Sequence, residues 1–308
     1  MKNIRQEFAD TMLEVGKKNP NLIVMVSDIS HGVLKPFAKS CPNQYYNIGI
    51  CEQSIVNMAS GLSKLNFIPV VHTIAPFIVE RSYEQIKLDF GYQKLGVNII
   101  TVGGSFDYSK LGCSHHCYTD VSLMSHFSQS CIFIPGSAKE FNLLFKENYN
   151  NSKINYFRIT NFAHNLDIKE SSIKKGKGIV ARKGADVTIA TIAPQLQTTL
   201  DTAKKLKKEK NISVEVLYFP TIKPFDEQLV LESVSKTKKL ITFEELSHQD
   251  GLYNLCIKSI IGINDIFVEQ IAINDFIHSY GSHEDLCRSQ GLDIKNLYQK
   301  VINLFNKK

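Results

Sequence analysis

The sequence predicts an α/β protein: a parallel sheet covered by helices on both faces, followed by a second, smaller unit of the same kind. Short, nearly continuous apolar runs such as Leu22-Ile23-Val24-Met25-Val26 and Val97-Asn98-Ile99-Ile100-Thr101-Val102 have strand length and no consistent polar face, as expected of strands buried on both sides. They alternate with longer segments whose apolar residues recur every three or four positions. The alternation breaks at the lysine-rich stretch from Lys169 to Lys177, which has few apolar anchors and reads as a linker. The boundary is expected near residue 172, giving units 1–172 and 173–308.

In chain order, Ile4, Phe8, Met12 and Val15 mark one face of an amphipathic helix over residues 4–17. Strand 22–26 follows and ends at Ser27-Asp28-Ile29-Ser30. The run from Tyr46 to Leu62 reads as a strand end turning into a helix that opens with Glu52. A carboxylate there faces unpaired N–H groups and the positive end of the helix dipole, with Ile50, Ile55, Met58 and Leu62 expected around it. Strand 68–71, a helix around 76–95 and strand 97–102 come next. The segment Gly103 to Gly112 is small and polar, a loop of the kind in which α/β proteins keep their chemistry.

Thr119-Asp120 is placed to cap a short helix, Cys131 to Ile134 is a strand, Pro135-Gly136-Ser137 opens a helix, and the strand at Tyr156 to Ile159 closes the first unit. The second unit has strands at 187–192, 214–218, 240–243 and 266–268. Its helices run through 209, from Asp226, near 251–260 and over 293–305.

Composition narrows the function classes. Of the 308 residues, 43% are hydrophobic and 21% charged, as in an ordinary globular protein, so neither disorder nor a fibrous fold is indicated. No apolar run approaches the ~18–20 residues of a membrane span, and Met1 to Phe8 lack the apolar core of a secretory signal, so a cytoplasmic protein is expected. Seven cysteines, odd in number and scattered, argue against a disulfide framework. The net charge of +6 comes largely from clusters such as Lys204 to Lys210, read as a solvated helix face and not as a nucleic-acid patch.

Several motifs then fall in one order: Asn47-Ile48-Gly49-Ile50-Cys51-Glu52-Gln53, Pro76-Phe77, Tyr83-Glu84-Gln85-Ile86 and Gly112-Cys113-Ser114-His115. Together they resemble the pyrimidine-binding domain of transketolase. Thr221 to Glu227 and Phe243-Glu244-Glu245 resemble the C-terminal domain of that family. The resemblance covers nearly the whole chain. It implies a thiamine diphosphate-fold domain followed by the smaller transketolase C-terminal domain.

On that resemblance Glu52 is the acid that hydrogen-bonds N1′ of the aminopyrimidine of thiamine diphosphate and makes the cofactor its own base. By spacing alone, the same carboxylate satisfies backbone N–H groups at a helix start. Phe77 matches the aromatic wall on which that ring packs, with Ile74 in a neighbouring wall position; a core aromatic is the other reading. His115 matches the histidine of a Gly-x-x-His loop that contacts the reacting end of the sugar, and His116 supports it. A zinc reading of Cys113, His115, His116 and Cys117 is disfavoured, because four ligands within five residues strain a tetrahedral site.

Arg158 matches a strand-end arginine that binds substrate phosphate, against the alternative of a surface ion pair. Asp28 resembles an acid near the cofactor and subunit contact, and Ser30 and His31 are placed to line the entrance. Glu244 and Glu245, at a strand end, could pass for an acid/base pair; the resemblance implies an interface role instead. Gly176-Lys177-Gly178 is too loose for a dinucleotide fingerprint, having no strand before it.

Two departures matter. Leu111 stands where the family places an acid, and Gly103 where it places a histidine. Both positions read sugar hydroxyls or carbonyl, so a different sugar is implied, with Ser105, Asp107, Tyr108 and Ser109 available to read it. No Gly-Asp-Gly occurs in the chain, so the Mg²⁺ that holds the diphosphate is expected to take its ligands from a separate N-terminal subunit, within an α2β2 assembly containing a homodimer of this chain. The implied function is ketol transfer between sugars, phosphorylated ones by the family pattern. A 2-oxo acid dehydrogenase β subunit and a non-catalytic scaffold are the alternatives.

Overall fold

The computed structural model describes residues 2–307. Among the described residues twelve strands form two sheets: β1 (Leu22–Val26), β2 (Tyr45–Asn47), β3 (Ile68–Ile74), β4 (Val97–Val102), β5 (Ser130–Phe133), β6 (Ile154–Arg158), β7 (Ile179–Arg182), β8 (Val187–Thr191), β9 (Val214–Tyr218), β10 (Thr221–Lys223), β11 (Lys239–Ser247) and β12 (Phe267–Ile273). The first sheet has the order β10-β5-β6-β4-β3-β1-β2 and the second β12-β11-β8-β9-β7. Every pairing is parallel except β10 with β5 and β7 with β9, both at sheet edges. The α/β expectation holds, for the reason the apolar runs gave: β1, β4, β5, β6, β8 and β9 are buried along their whole length.

This topology positions the chemistry. β2, β1, β3, β4 and β6 are consecutive neighbours, so the segments leaving their C-terminal ends gather along one edge, where ligands of open α/β sheets bind. Glu52 follows β2, Phe77 follows β3, the 103–117 loop follows β4, and Arg158 is the last residue of β6, in register with Thr101. Residues far apart in sequence meet because the strands that carry them are parallel.

The first helix, Ile4–Lys18, buries Ile4, Phe8, Met12 and Val15 as their spacing predicts, and its Asn3 cap accepts from the N–H of Arg5. Phe8 packs edge-on against Phe141 of helix Ala138–Asn148. Three short elements have no clear mark in the sequence: helix His31–Ser40, edge strand β7 and helix His283–Ser289. The predicted helix around 76–95 is wound in pieces. Its first turn is of π type, with the Arg81 N–H bonded to the Pro76 carbonyl, and it ends at Tyr92. β10 returns from the second half of the chain to the edge of the first sheet, where Lys223 Nζ donates to the carbonyls of Ser125 and Phe127. All seven cysteines are free, and among the described residues no helix is long and apolar enough to cross a membrane.

His72, fully buried in β3, carries one pH prediction. Its Nδ1 hydrogen bonds the carbonyl of Ile100 and its Nε2 lies 2.7 Å from the Ser30 hydroxyl, which accepts from Arg5. Burial, and secondarily Arg5, lowers its pKa to about 3. The folded value lies below the unfolded one, so the unfolded chain takes up the extra proton and stability falls as pH drops below 6.5. Its share is expected to decline by about 1.4 kcal/mol per pH unit down to about pH 3. Denaturant titrations between pH 7 and 4 check this; a flat profile would contradict it.

Candidate active site

Glu52 is the first residue of helix Glu52–Lys64, and only 2% of it is exposed. The sharp turn before it uses Gly49 at φ +80°, a conformation that favours glycine. Asn47 fixes this turn through its side chain, which accepts from the N–H groups of Asp28 and Gly49 and donates to the Asp28 carboxylate at 3.1 Å. Asp28, itself at φ 49°, therefore positions the turn that presents Glu52. Ile55 is buried beneath the carboxylate's helix, but Ile50 (71% exposed) and Met58 (49%) face outward, contrary to expectation. They share the surface with exposed Tyr46, Leu65, Leu88 and Tyr92.

The Glu52 carboxylate is not free within its own fold. Arg81 Nη1 lies 3.2 Å from Oε2, with the arginine side chain 46% exposed. The same guanidinium sits 4.5 Å above the Phe77 ring. Phe77 and Arg81 stand four apart in a helical stretch and so face one another, a spacing visible in the sequence. A half-exposed pair of this kind is worth about 1 kcal/mol or less, so another partner can replace it.

Phe77 meets His115 edge-on, with ring centroids 5.1 Å apart, and the Tyr108 ring also stands edge-on to His115 at 6.2 Å. Ile74 belongs to the same wall. A Cβ on Gly103 would lie 2.7 Å from the Tyr108 ring and 2.8 Å from Ile74 Cγ2, so the backbone passes where no side chain fits. Glu52, Phe77, His115 and Ile74 thus converge with Arg81 and Tyr108. His115 Nδ1 is 3.0 Å from the Ser114 hydroxyl. His116 is buried and reaches the Ser109 carbonyl, a supporting position. His31 lies exposed at the start of its helix, at the end of neighbouring β1.

Arg158 corrects the sequence reading. It is 2% exposed and engaged inside the fold: Nε lies 3.1 Å from Asp120 Oδ2, and Nη2 donates to the Ser105 hydroxyl and, at 3.4 Å, to the Glu245 carbonyl. Tyr156 donates to the same Asp120 oxygen at 2.6 Å. Gly104 crosses directly over the guanidinium, so closely that a Cβ there would collide with Nε. At 2% exposure the guanidinium is turned away from solvent, with Nη1 buried without a partner.

The 103–117 loop is pinched by reciprocal bonds between Ser105 and Cys117; Ser105 and Ser109 are buried and Asp107 is half-buried. Asp107 accepts from Thr160, and burial, then Glu245, pushes its pKa up to about 7. Of the four loop residues expected to read a sugar, only Tyr108 stands at the Phe77–His115 wall. Glu244 and Glu245 are buried within the chain instead of facing an interface; Glu244 accepts the N–H groups of Leu252 and Tyr253 at the start of helix Leu252–Ser259.

The donor set fits a flat, nitrogen-bearing ring. Arg81 already presents a planar group to the Phe77 face and a hydrogen-bond partner to the Glu52 carboxyl, the two contacts that an aminopyrimidine would make.

Comparison with known proteins agrees. Residues 1–161 match the transketolase pyrimidine binding domain and residues 176–297 the transketolase C-terminal domain. The chain is 28% identical over 307 residues to one subunit of the apulose-4-phosphate transketolase of Phocaeicola vulgatus, covering 98% of this chain and 97% of that one. It is 24% identical to a 6-deoxy-6-sulfo-D-fructose transketolase subunit of a Clostridium species, covering 99% and 95%. A solved split gene transketolase, described as an inactive β4 tetramer, superposes with a TM-score of 0.88 at 26% identity, covering 99% of both chains.

Proposed function

Because this chain belongs to the transketolase family, carrying its pyrimidine-binding and C-terminal domains, we propose that it is the C-terminal subunit of a split, thiamine diphosphate-dependent transketolase. The reaction is transfer of a two-carbon ketol unit between sugars, and the division between the two units falls near residue 172. The observation that supports this most is Glu52, a buried carboxylate at a helix start, one side chain away from an aromatic ring and a loop histidine.

Thiamine diphosphate, when bound, supplies a nucleophilic carbon and an electron sink. Glu52 holds and moves the proton at the pyrimidine N1′, where burial favours a short, directed hydrogen bond over exchange with water. Phe77, with Ile74, packs the ring, and Asp28 orders the turn beneath it. His115, flanked by Phe77 and Tyr108, donates to the sugar oxygen on which charge develops. His31 lines the approach.

Mg²⁺ and the diphosphate belong to a separate N-terminal subunit in a cytoplasmic α2β2 assembly. The exposed Ile50, Met58, Leu65, Leu88 and Tyr92 supply an apolar surface for a subunit contact. Both named relatives take their names from sugars with an anionic substituent remote from the ketol end, and a phosphorylated substrate of that type is proposed here. Neither nucleic acid nor a membrane is a proposed partner.

The test mixes the chain with a partner bearing Gly-Asp-Gly and compares ketol transfer with 2-oxo acid decarboxylation. Ketol transfer appearing only in the mixture is expected; turnover by this chain alone, or decarboxylation alone, would overturn the proposal. Arg81 gives a second expectation. Because the cofactor ring displaces it, Arg81→Ala should tighten cofactor binding by the mixed subunits about threefold to fivefold, a gain under about 1 kcal/mol. Calorimetric titration checks this; weaker binding would make Arg81 a cofactor contact instead.

A further inference from the structure

Behind the 103–117 loop, away from Glu52, lies a donor cluster that the proposed mechanism does not use. Glu245 near the end of β11, together with His283 and Cys287 on helix His283–Ser289, brings one carboxylate oxygen, one imidazole nitrogen and one sulfur within 4.8 Å of one another. Glu245 Oε2 is 3.1 Å from His283 Nε2, and Cys287 Sγ is 3.5 Å from the same nitrogen. Zinc bonds of ~2.0–2.1 Å to N or O and ~2.3 Å to S put tetrahedral ligand atoms roughly 3.3–3.7 Å apart. The sulfur–nitrogen spacing falls inside that range and the oxygen–nitrogen spacing just below it. Glu245 and Cys287 are buried, at 1% and 3% exposure.

The arrangement differs from a nucleophile relay. A thiol–imidazole–carboxylate relay uses opposite ring nitrogens, whereas both the carboxylate and the sulfur here lie nearest Nε2, with Sγ 3.8 Å from Nδ1. Supporting contacts already hold the donors. The Gln195 amide donates to Glu245 Oε1 at 2.5 Å, and Phe162 stacks on the His283 ring at 3.6 Å. Outer contacts of this kind orient metal ligands. The Gln195 amide nitrogen also lies 3.7 Å from Cys287 Sγ, and its Oε1 is buried without a partner in a residue 2% exposed. A cavity of about 240 Å³ lined by Phe162, Pro194, Gln195, Thr198, His283 and Cys287 opens onto the group.

We propose that Glu245, His283 and Cys287 form a zinc site, with a water from the adjoining cavity as the fourth ligand. Mixed thiolate, imidazole and carboxylate ligation suits Zn²⁺, and Mg²⁺ and Ca²⁺ take oxygen alone. On binding, the thiol loses its proton to solvent and the imidazole binds as the Nδ1–H tautomer. The main-chain carbonyl of Glu245 accepts from Ser105 and Arg158, so the metal ties β11 and helix His283–Ser289 to the base of the loop that carries His115. This is independent of thiamine binding and survives failure of the proposed reaction.

The experiment uses the full chain, reduced, stripped with chelator, loaded with Zn²⁺ or Co²⁺ and freed of excess metal by gel filtration. About one zinc per chain is expected, with a higher melting temperature than the stripped protein, and the cobalt form should show a thiolate-to-metal charge-transfer band. Cys287→Ser should lose the band and at least tenfold in affinity, and Cys113→Ser, at an exposed thiol, should lose neither. Substoichiometric metal, or metal retained unchanged in Cys287→Ser, overturns the site. Should Cys287→Ser not fold, a Cys51→Ser/Cys113→Ser background decides: persistence of the cobalt band supports the site and its loss refutes it.

Discussion

Glu52→Gln is expected to lower ketol transfer by the assembled subunits about 10²- to 10⁴-fold, the range that a positioned acid–base group supplies. The amide keeps the size of the carboxyl and its contact with Arg81 through the side-chain oxygen, but cannot hold a proton for N1′. The rate should fall at every pH, while thermal stability changes little, because the Arg81 pair is half exposed and contributes weakly. Assembly with the partner, followed by sedimentation, should match the wild-type chain. If Glu52→Gln retained full activity, the carboxylate would be reduced to capping its helix, and the scaffold reading would regain ground.

Arg158→Met is expected to destabilise the fold by about 3–5 kcal/mol, since it strands Asp120 at 0% exposure without its counter-ion. The loss should appear as a lower denaturant midpoint, measured on this chain alone. Removing both charges, with Asp120→Leu and Arg158→Met together, should cost less than the sum of the single changes, because the desolvation of both groups is relieved. A substrate-phosphate role predicts the opposite pattern: an unchanged midpoint and a raised KM. The two outcomes separate cleanly because the first needs no partner, cofactor or sugar.

Arg158 also shows where reading a sequence stops. A strand-end arginine after an aromatic pair reads as a phosphate ligand or a surface ion pair, and the structure shows an internal pair instead. The distinction depends on Asp120, thirty-eight positions earlier, and on Gly104 crossing over the guanidinium. Asp107 and Ser105 are similar: polar loop residues look available in a string of letters, but in the fold Ser105 is buried and Asp107 half-buried. The same holds for Ile50 and Met58, whose helical spacing gave no direction because Glu52 begins its helix and the neighbouring surface is open. Glu245, His283 and Cys287 lie up to forty-two positions apart and had no motif to announce them.

By itself the sequence determined the α/β architecture and the identity of the chemical groups, because buried parallel strands and amphipathic helices impose periodicities that are local. It also placed Glu52 at a helix start, Phe77 after β3 and His115 in the loop after β4, since turns, caps and strand ends are written within a few residues. Tertiary structure alone decided which of these groups meet and what stands between them: the Arg81 guanidinium on both Glu52 and Phe77, and Arg158 locked onto Asp120. Pairing and burial of charge depend on distances across strands whose order the local pattern does not encode, and the energy of an ion is set by whatever the fold brings beside it.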